Sequence, residues 1–156
     1  MAKGPQPGDP APDFELTGTD GAFKLSGQRG RRVILLFYPG DETPVCTKQF
    51  CSYRDDADKL EDLDAVVVGI SAQNVASHES FKASHGLTVP LVADEDRAVA
   101  GRYGVSAPGL GTRRAVIVID AQGVVRHRHV HLLGLGYQNV DDLRKALDEL
   151  DAGAPA

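Results

Sequence analysis

The sequence predicts an α/β domain in which helices flank a mixed central β-sheet. Three observations carry this. Apolar runs at residues 33–38, 65–70 and 115–120 have the length and continuity of strands buried on both faces. The segments that follow the first two repeat apolar residues at helical spacing instead of alternating them. Glycine turns at Asp20-Gly21 and Gln122-Gly123 mark a short hairpin toward each end of the chain.

Taken in order, residues 1–13 are rich in proline and glycine and read as an extended entry segment. Residues 14–16 and 22–25 flank the Asp20-Gly21 turn as an N-terminal β-hairpin. After strand 33–38, Phe50, Tyr53, Ala57 and Leu60 recur at helical spacing and predict one helix over 44–62. Pro44 suits its first turn and Thr43 its cap. Strand 65–70 is followed by a helix over 74–84 and a short extended piece at 89–92. A short helix over 97–103 ends at Gly104, a good C-cap residue. Strand 115–120 turns at Gln122-Gly123 into a fourth strand over 124–132. Val140, Leu143, Leu147 and Leu150 lie at i, i+3, i+7 and i+10 and define a closing amphipathic helix. Residues 151–156 are expected to be a disordered tail. A β-α-β unit followed by an α-β-β-α unit is the thioredoxin-like arrangement. With 156 residues, no internal repeat and no domain-scale linker, residues 1–156 read as a single domain.

Composition excludes several functions. Hydrophobic content of 42% and charged content of 25% are ordinary for a globular chain. A net charge of −5 offers no electrostatic footprint for nucleic acid, and the basic residues 29–32 read as a solvated loop. The first residues lack the apolar core of a secretory signal, and no apolar run approaches a membrane span. A cytoplasmic location with no membrane partner is therefore expected. In such a reducing compartment the two cysteines, Cys46 and Cys51, would form a transient, catalytic disulfide sooner than a permanent one.

Cys46 stands out because it opens a predicted helix directly after a buried strand, a site suited to a nucleophile. A reactive cysteine works as its thiolate. The free N–H groups and positive dipole end of a first helical turn favour that anion. Cys46 lies four residues before Phe50 on the apolar stripe, whereas Cys51 lines up with Asp55, Asp58 and Asp62 on the polar side and is expected to face solvent. Five residues apart in a helix, the two side chains diverge by about 140° and their Cα atoms lie about 8.6 Å apart. A disulfide wants Cα atoms within roughly 7 Å. A Cys46–Cys51 bond would therefore require the first helical turns to unwind; two free thiols are the other reading.

The pattern Pro39-x-x-x-Thr43-x-x-Cys46 resembles the active site of the peroxiredoxin family, and Cys51 stands where its Q group (bacterioferritin comigratory protein) keeps a second cysteine. Residues 7–14 resemble the family's opening segment, residues 33–38 its strand before the reactive cysteine, and residues 114–120 its arginine-bearing strand. The resemblance implies a thiol peroxidase acting on hydrogen peroxide and organic hydroperoxides without metal or organic cofactor. It makes Cys46 the attacking thiolate that becomes a sulfenic acid, and Cys51 the thiol that resolves it into an intramolecular disulfide. Thr43 would bind peroxide and thiolate through its hydroxyl, and Pro39 would shield the sulfur from water. Arg114 would stabilise thiolate and leaving oxygen; Arg113, its neighbour, is the alternative on the opposite strand face. Thioredoxin or a similar dithiol would recycle the disulfide. In the family a glutamate commonly stands three residues after the reactive cysteine and orients the arginine; this chain has Gln49 there, whose neutral amide can still accept an arginine hydrogen bond. A monomer suffices for such a cycle, with a homodimer as the alternative. Two other functions fit the cysteines: a one-cysteine peroxidase resolved by an external thiol, and a non-catalytic thioredoxin-fold redox-sensing or binding module.

His127, His129 and His131 alternate along the last strand and share a face, which would suit zinc; a polar sheet face explains them equally and no fourth ligand is evident. The glycine pairs at 109–111 and 134–136 lack a dinucleotide fingerprint and read as turns. Tyr38, Phe50 and Tyr53 could line the cysteine pocket, with core packing favoured for the last two.

Overall fold

In a computed structural model, which describes residues 4–107, 111–131 and 137–153, the three apolar runs become neighbouring strands at the heart of one sheet. The elements are β1 (Glu15–Gly18), β2 (Gly21–Lys24), a 3-10 turn (Leu25–Gln28), β3 (Val33–Phe37), α1 (Pro44–Asp55), α2 (Ala57–Glu61), β4 (Val66–Ser71) and α3 (Val75–His85). There follow β5 (Leu91–Ala93), α4 (Ala98–Arg102), β6 (Ser106–Ala107), β7 (Gly111–Thr112), β8 (Ala115–Ile119), β9 (Val125–Val130) and α5 (Val140–Gly153). The seven-stranded sheet runs β2-β1-β5-β4-β3-β8-β9. It is mixed, as expected: β3 pairs parallel with β4 and antiparallel with β8. The N-terminal hairpin joins it through Gly18 opposite Val92.

Strand alternation sorts the central side chains onto two faces. Val33, Leu35, Phe37, Ala115, Ile117 and Ile119 belong to one core with Phe14 and Tyr103. Ile34, Leu36, Val116 and Val118 belong to a second core, with Phe50 and Tyr53 of α1, Phe81 of α3 and Leu143 and Leu147 of α5. The continuous apolar runs are explained: both faces of β3 and β8 are covered. Gly69 is the one gap in the run at β4. A Cβ there would stand 2.7 Å from Leu91 Cδ2 and 2.9 Å from Phe50 Cζ, so its absence lets α1 lie close on the sheet.

Most elements shift by a residue or two from the sequence reading, and three features depart further. The single helix expected over 44–62 breaks at Asp56, whose φ of −105° and ψ of 32° end α1 and begin α2. Aspartate competes for its own backbone and is a weak helix former; the break leaves Leu60 and Leu63 packed on the helix-side core. The closing helix runs on to Gly153, so residues 151–153 are helical, not tail; residues 154–156 lie outside the described residues. A two-residue ladder, β6 with β7, has no sequence signal because each strand is too short for periodicity. Among the described residues no helix is long and apolar enough to cross a membrane.

Candidate active site

The loop from Tyr38 to Thr43 carries the chain from the end of β3 into α1. Tyr38 keeps the ladder going by donating its N–H to the Ile70 carbonyl at 3.1 Å. Pro39, exposed, follows, and Glu42 sits in the left-handed region at φ 61°. Thr43 has the extended backbone of a cap residue, and its carbonyl accepts the first helical hydrogen bond from Thr47 at 2.8 Å. Its side chain does not cap, contrary to expectation. The hydroxyl donates instead to the Gly40 carbonyl at 3.0 Å, which turns the loop back on itself.

Cys46 is therefore in the first turn of α1, buried to 0% exposure in the helix-side core. Arg114 reaches it from β8. The register Phe37 opposite Ala115 carries Arg114 to the end of β3, and alternation with Val116 and Val118 turns it to the helix side. Its Nη2 donates to Cys46 Sγ at 3.1 Å, and its Nη1 donates to Gln49 Oε1. Arg114 is itself 3% exposed. Arg113, one residue earlier, is half-buried and alternates to the other face of the strand; its N–H donates to the Val105 carbonyl at 2.6 Å. A cation and a first-turn dipole thus converge on the buried sulfur, and each attracts an anion there.

Cys51, in the same helix, is half-buried and packs on the helix-side core, so it is more exposed than Cys46 but less so than expected. In a full helix layer the flanks of α1 as well as its central stripe are covered. Both cysteines are free thiols.

Beneath the loop lies a polar network that the sequence reading missed. Asp41 accepts from the Tyr38 hydroxyl at 2.7 Å and from the Ser77 hydroxyl at 2.7 Å, and its Oδ2 lies 2.7 Å from His78 Nδ1. The far ring nitrogen of His78, Nε2, donates to the Val92 carbonyl at 3.0 Å. Asp41's own N–H donates to Gln73 Oε1 at 3.1 Å. Burial pushes the Asp41 carboxyl up, but the hydrogen bonds from His78, Tyr38 and Ser77 outweigh it and hold the group below its ordinary value. Burial raises the Tyr38 phenol well above its usual range, with the Asp41 charge adding to it. Tyr38 is thus a fully buried donor that fixes the loop. An aspartate inside the motif was visible in sequence; its partner 37 residues on had no periodic signal.

The histidines of β9 lie on the helix side, opposite Val118, Val116 and Arg114. Burial, and then the charge of His129, lowers the pKa of His127 and of His131. Among the described residues no group of three His, Cys, Asp or Glu side chains is placed to hold a metal ion. The glycine pairs at 109–111 and 134–136 fall largely outside the described residues.

Comparison with known proteins identifies relatives of the chain. A model of the AhpC/TSA family matches residues 7–128. Peroxiredoxin Q, chloroplastic, of Oryza sativa subsp. japonica is 44% identical over 123 residues, 77% of this chain and 57% of that protein. The chain thus spans less than two thirds of the length of such plant relatives. Peroxiredoxin Bcp of Bacillus subtilis is 36% identical over 124 residues, 74% of this chain and 79% of that one. The crystal structure of peroxidoxin BcpB from Mycobacterium tuberculosis superposes with a TM-score of 0.79 at 31% identity, covering 97% of this chain and 99% of that one. With the match extending from the entry segment into β9, and the thioredoxin-like sheet shared, the chain belongs to the AhpC/TSA family, the peroxiredoxins.

Proposed function

We propose that the chain is a thiol peroxidase in which Cys46 reduces hydrogen peroxide and organic hydroperoxides. The observation that carries this is Arg114 Nη2 on Cys46 Sγ at 3.1 Å within the first turn of α1. The thiolate attacks one peroxide oxygen and the O–O bond breaks. The sulfur becomes a sulfenic acid, and the leaving oxygen departs as water or alcohol once protonated. Arg114 stabilises both the thiolate and the charge building on that oxygen. Thr43 turns its hydroxyl proton from Gly40 to the incoming peroxide, and Pro39 at the loop's outer side limits water at the sulfur.

Cys51 then attacks the sulfenic sulfur, expelling water and closing a disulfide within one chain. Both cysteines lie in α1, so this step requires its first turns to open. A dithiol such as thioredoxin supplies the two electrons that restore the thiols. The cycle needs one chain and a reducing compartment, so a cytoplasmic monomer is the corresponding proposal. A one-cysteine cycle is the second reading, favoured by Cys51 being half-buried in an intact helix.

Reaction of the reduced protein with one equivalent of hydrogen peroxide, followed by intact and peptide masses, separates these readings. Loss of two hydrogens at a Cys46–Cys51 bridge is expected. Oxygen added at Cys46 without a bridge would select the one-cysteine cycle, and no rapid reaction would overturn both.

A further inference from the structure

The orientation of Arg114 traces back through α1 to a backbone carbonyl ahead of α5. A guanidinium only donates hydrogen bonds, so the end of the Gln49 amide that meets Arg114 must be its oxygen. The other end, Nε2, then donates to the Tyr53 hydroxyl at 2.9 Å. A phenol has one proton, and Tyr53 gives it to the Gln138 carbonyl at 2.5 Å. That leaves the Tyr53 oxygen as an acceptor toward Gln49, which admits only the amide's NH2 end.

A reversed amide would face N–H donors against the guanidinium and an oxygen against a hydroxyl whose proton is already committed. Gln49 is 1% exposed and Tyr53 0%, so water cannot readily make good either loss. Arg114 Nε is buried with no hydrogen-bond partner among the described residues, so the aim of the guanidinium rests on its two Nη groups.

We propose that Tyr53 is a positioning residue for the peroxidase reaction: anchored on the Gln138 carbonyl, its hydroxyl keeps the Gln49 amide oxygen toward Arg114 and so keeps Arg114 on Cys46. The inference rests on Cys46 being the attacking thiolate. It concerns the choice of glutamine at position 49, because a carboxylate would offer Arg114 an oxygen in either orientation and would not need a director.

The test is a double-mutant cycle of Tyr53→Phe and Gln49→Glu. Phenylalanine keeps the ring and its edge contact with Phe50, whose centroid is 5.5 Å away, so the variant retains its core packing. Two quantities are read in all four proteins. One is the second-order rate of the first oxidation by hydrogen peroxide in stopped flow; the other is the Cys46 thiolate absorbance at 240 nm as a function of pH. In the Gln49 background, Tyr53→Phe is expected to slow oxidation about tenfold, in keeping with one lost hydrogen bond in a charged network, and to move the thiolate profile to higher pH. In the Gln49→Glu background the same change is expected to alter the rate less than about twofold. Equal slowing in both backgrounds would mark a merely structural role and overturn the inference. So would an unchanged rate in the Gln49 background, with Cys46 still oxidised rapidly. If Cys46 of the unaltered protein does not react with peroxide, the underlying reading fails and this inference with it.

Discussion

Replacing Asp41 by asparagine tests how firmly the loop before Cys46 is held. The Asp41 side chain is 2% exposed and is met at 2.7 Å by Tyr38, Ser77 and His78. Asparagine keeps the size and one oxygen, but it removes the charge and puts an NH2 group where a donor already points. If its oxygen stays toward Ser77 and His78, the Tyr38 hydroxyl loses its acceptor; if it turns to Tyr38, the other two do. Leaving a buried donor without its acceptor costs about 1–3 kcal/mol, and the loss of the carboxylate charge that three donors meet places this change near the upper end, about 3 kcal/mol. For a chain of this size that is a fall in Tm of about 6–12 °C. Urea unfolding of the reduced protein at several pH values measures it. The Asp41 carboxyl is held below its ordinary value of 3.8, so its contribution is complete above that pH and disappears as pH falls through the lower folded value. The gap between the two proteins should thus be constant from pH 7 to 5 and narrow only below about pH 4. A gap under about 1 kcal/mol at pH 7, or one that closes between pH 7 and 5, would refute the reasoning.

Gly69→Ala would push a methyl to 2.7 Å from Leu91 and 2.9 Å from Phe50, and should lower the unfolding free energy from urea titration by about 1–3 kcal/mol with unchanged slope. A loss under about 0.5 kcal/mol would show that α1 does not rest on that strand as described. Acidification should also weaken the fold through His127 and His131. The unfolded chain protonates them near 6.5, whereas the folded protein holds them neutral to lower pH, so stability is lost as pH falls from about 6.5 through the folded values. The double change to glutamine should flatten the fall in Tm between pH 7.5 and 5.5; an unchanged slope would assign it elsewhere.

What sequence conveyed best was whatever repeats. β3 and β8 are apolar throughout because both their faces are buried, and they were legible as strands to within a residue. Arg114 could be set against Arg113 because strand alternation has only two answers, and Cys46 was marked by its place between a strand and a helix. The break at Asp56 was not legible, since one apolar stripe continues across it and only the backbone registers the turn. The burial of Cys51 was underestimated for a related reason: a helical wheel shows the stripe facing the sheet but not the neighbours packed beside it. The Asp41–His78 pair and the Tyr53–Gln138 contact join residues 37 and 85 apart, where no period relates them. Tyr53 illustrates the limit most sharply. Its ring was legible as core from spacing, while its hydroxyl took its place from a carbonyl just ahead of α5, 85 residues away.

The break at Asp56 has a consequence for the proposed cycle. Helical hydrogen bonds are lost cooperatively, and a ladder melts as far as it runs unbroken. Here the ladder holding both cysteines is twelve residues long, and the next begins afresh in α2. In the proposed cycle Asp56 would act as a firebreak: the first turns of α1 could open while Leu60 and Leu63 stay seated on the helix-side core. The redox cycle would then disturb one short segment and leave the rest of the molecule as a rigid mould into which α1 refolds.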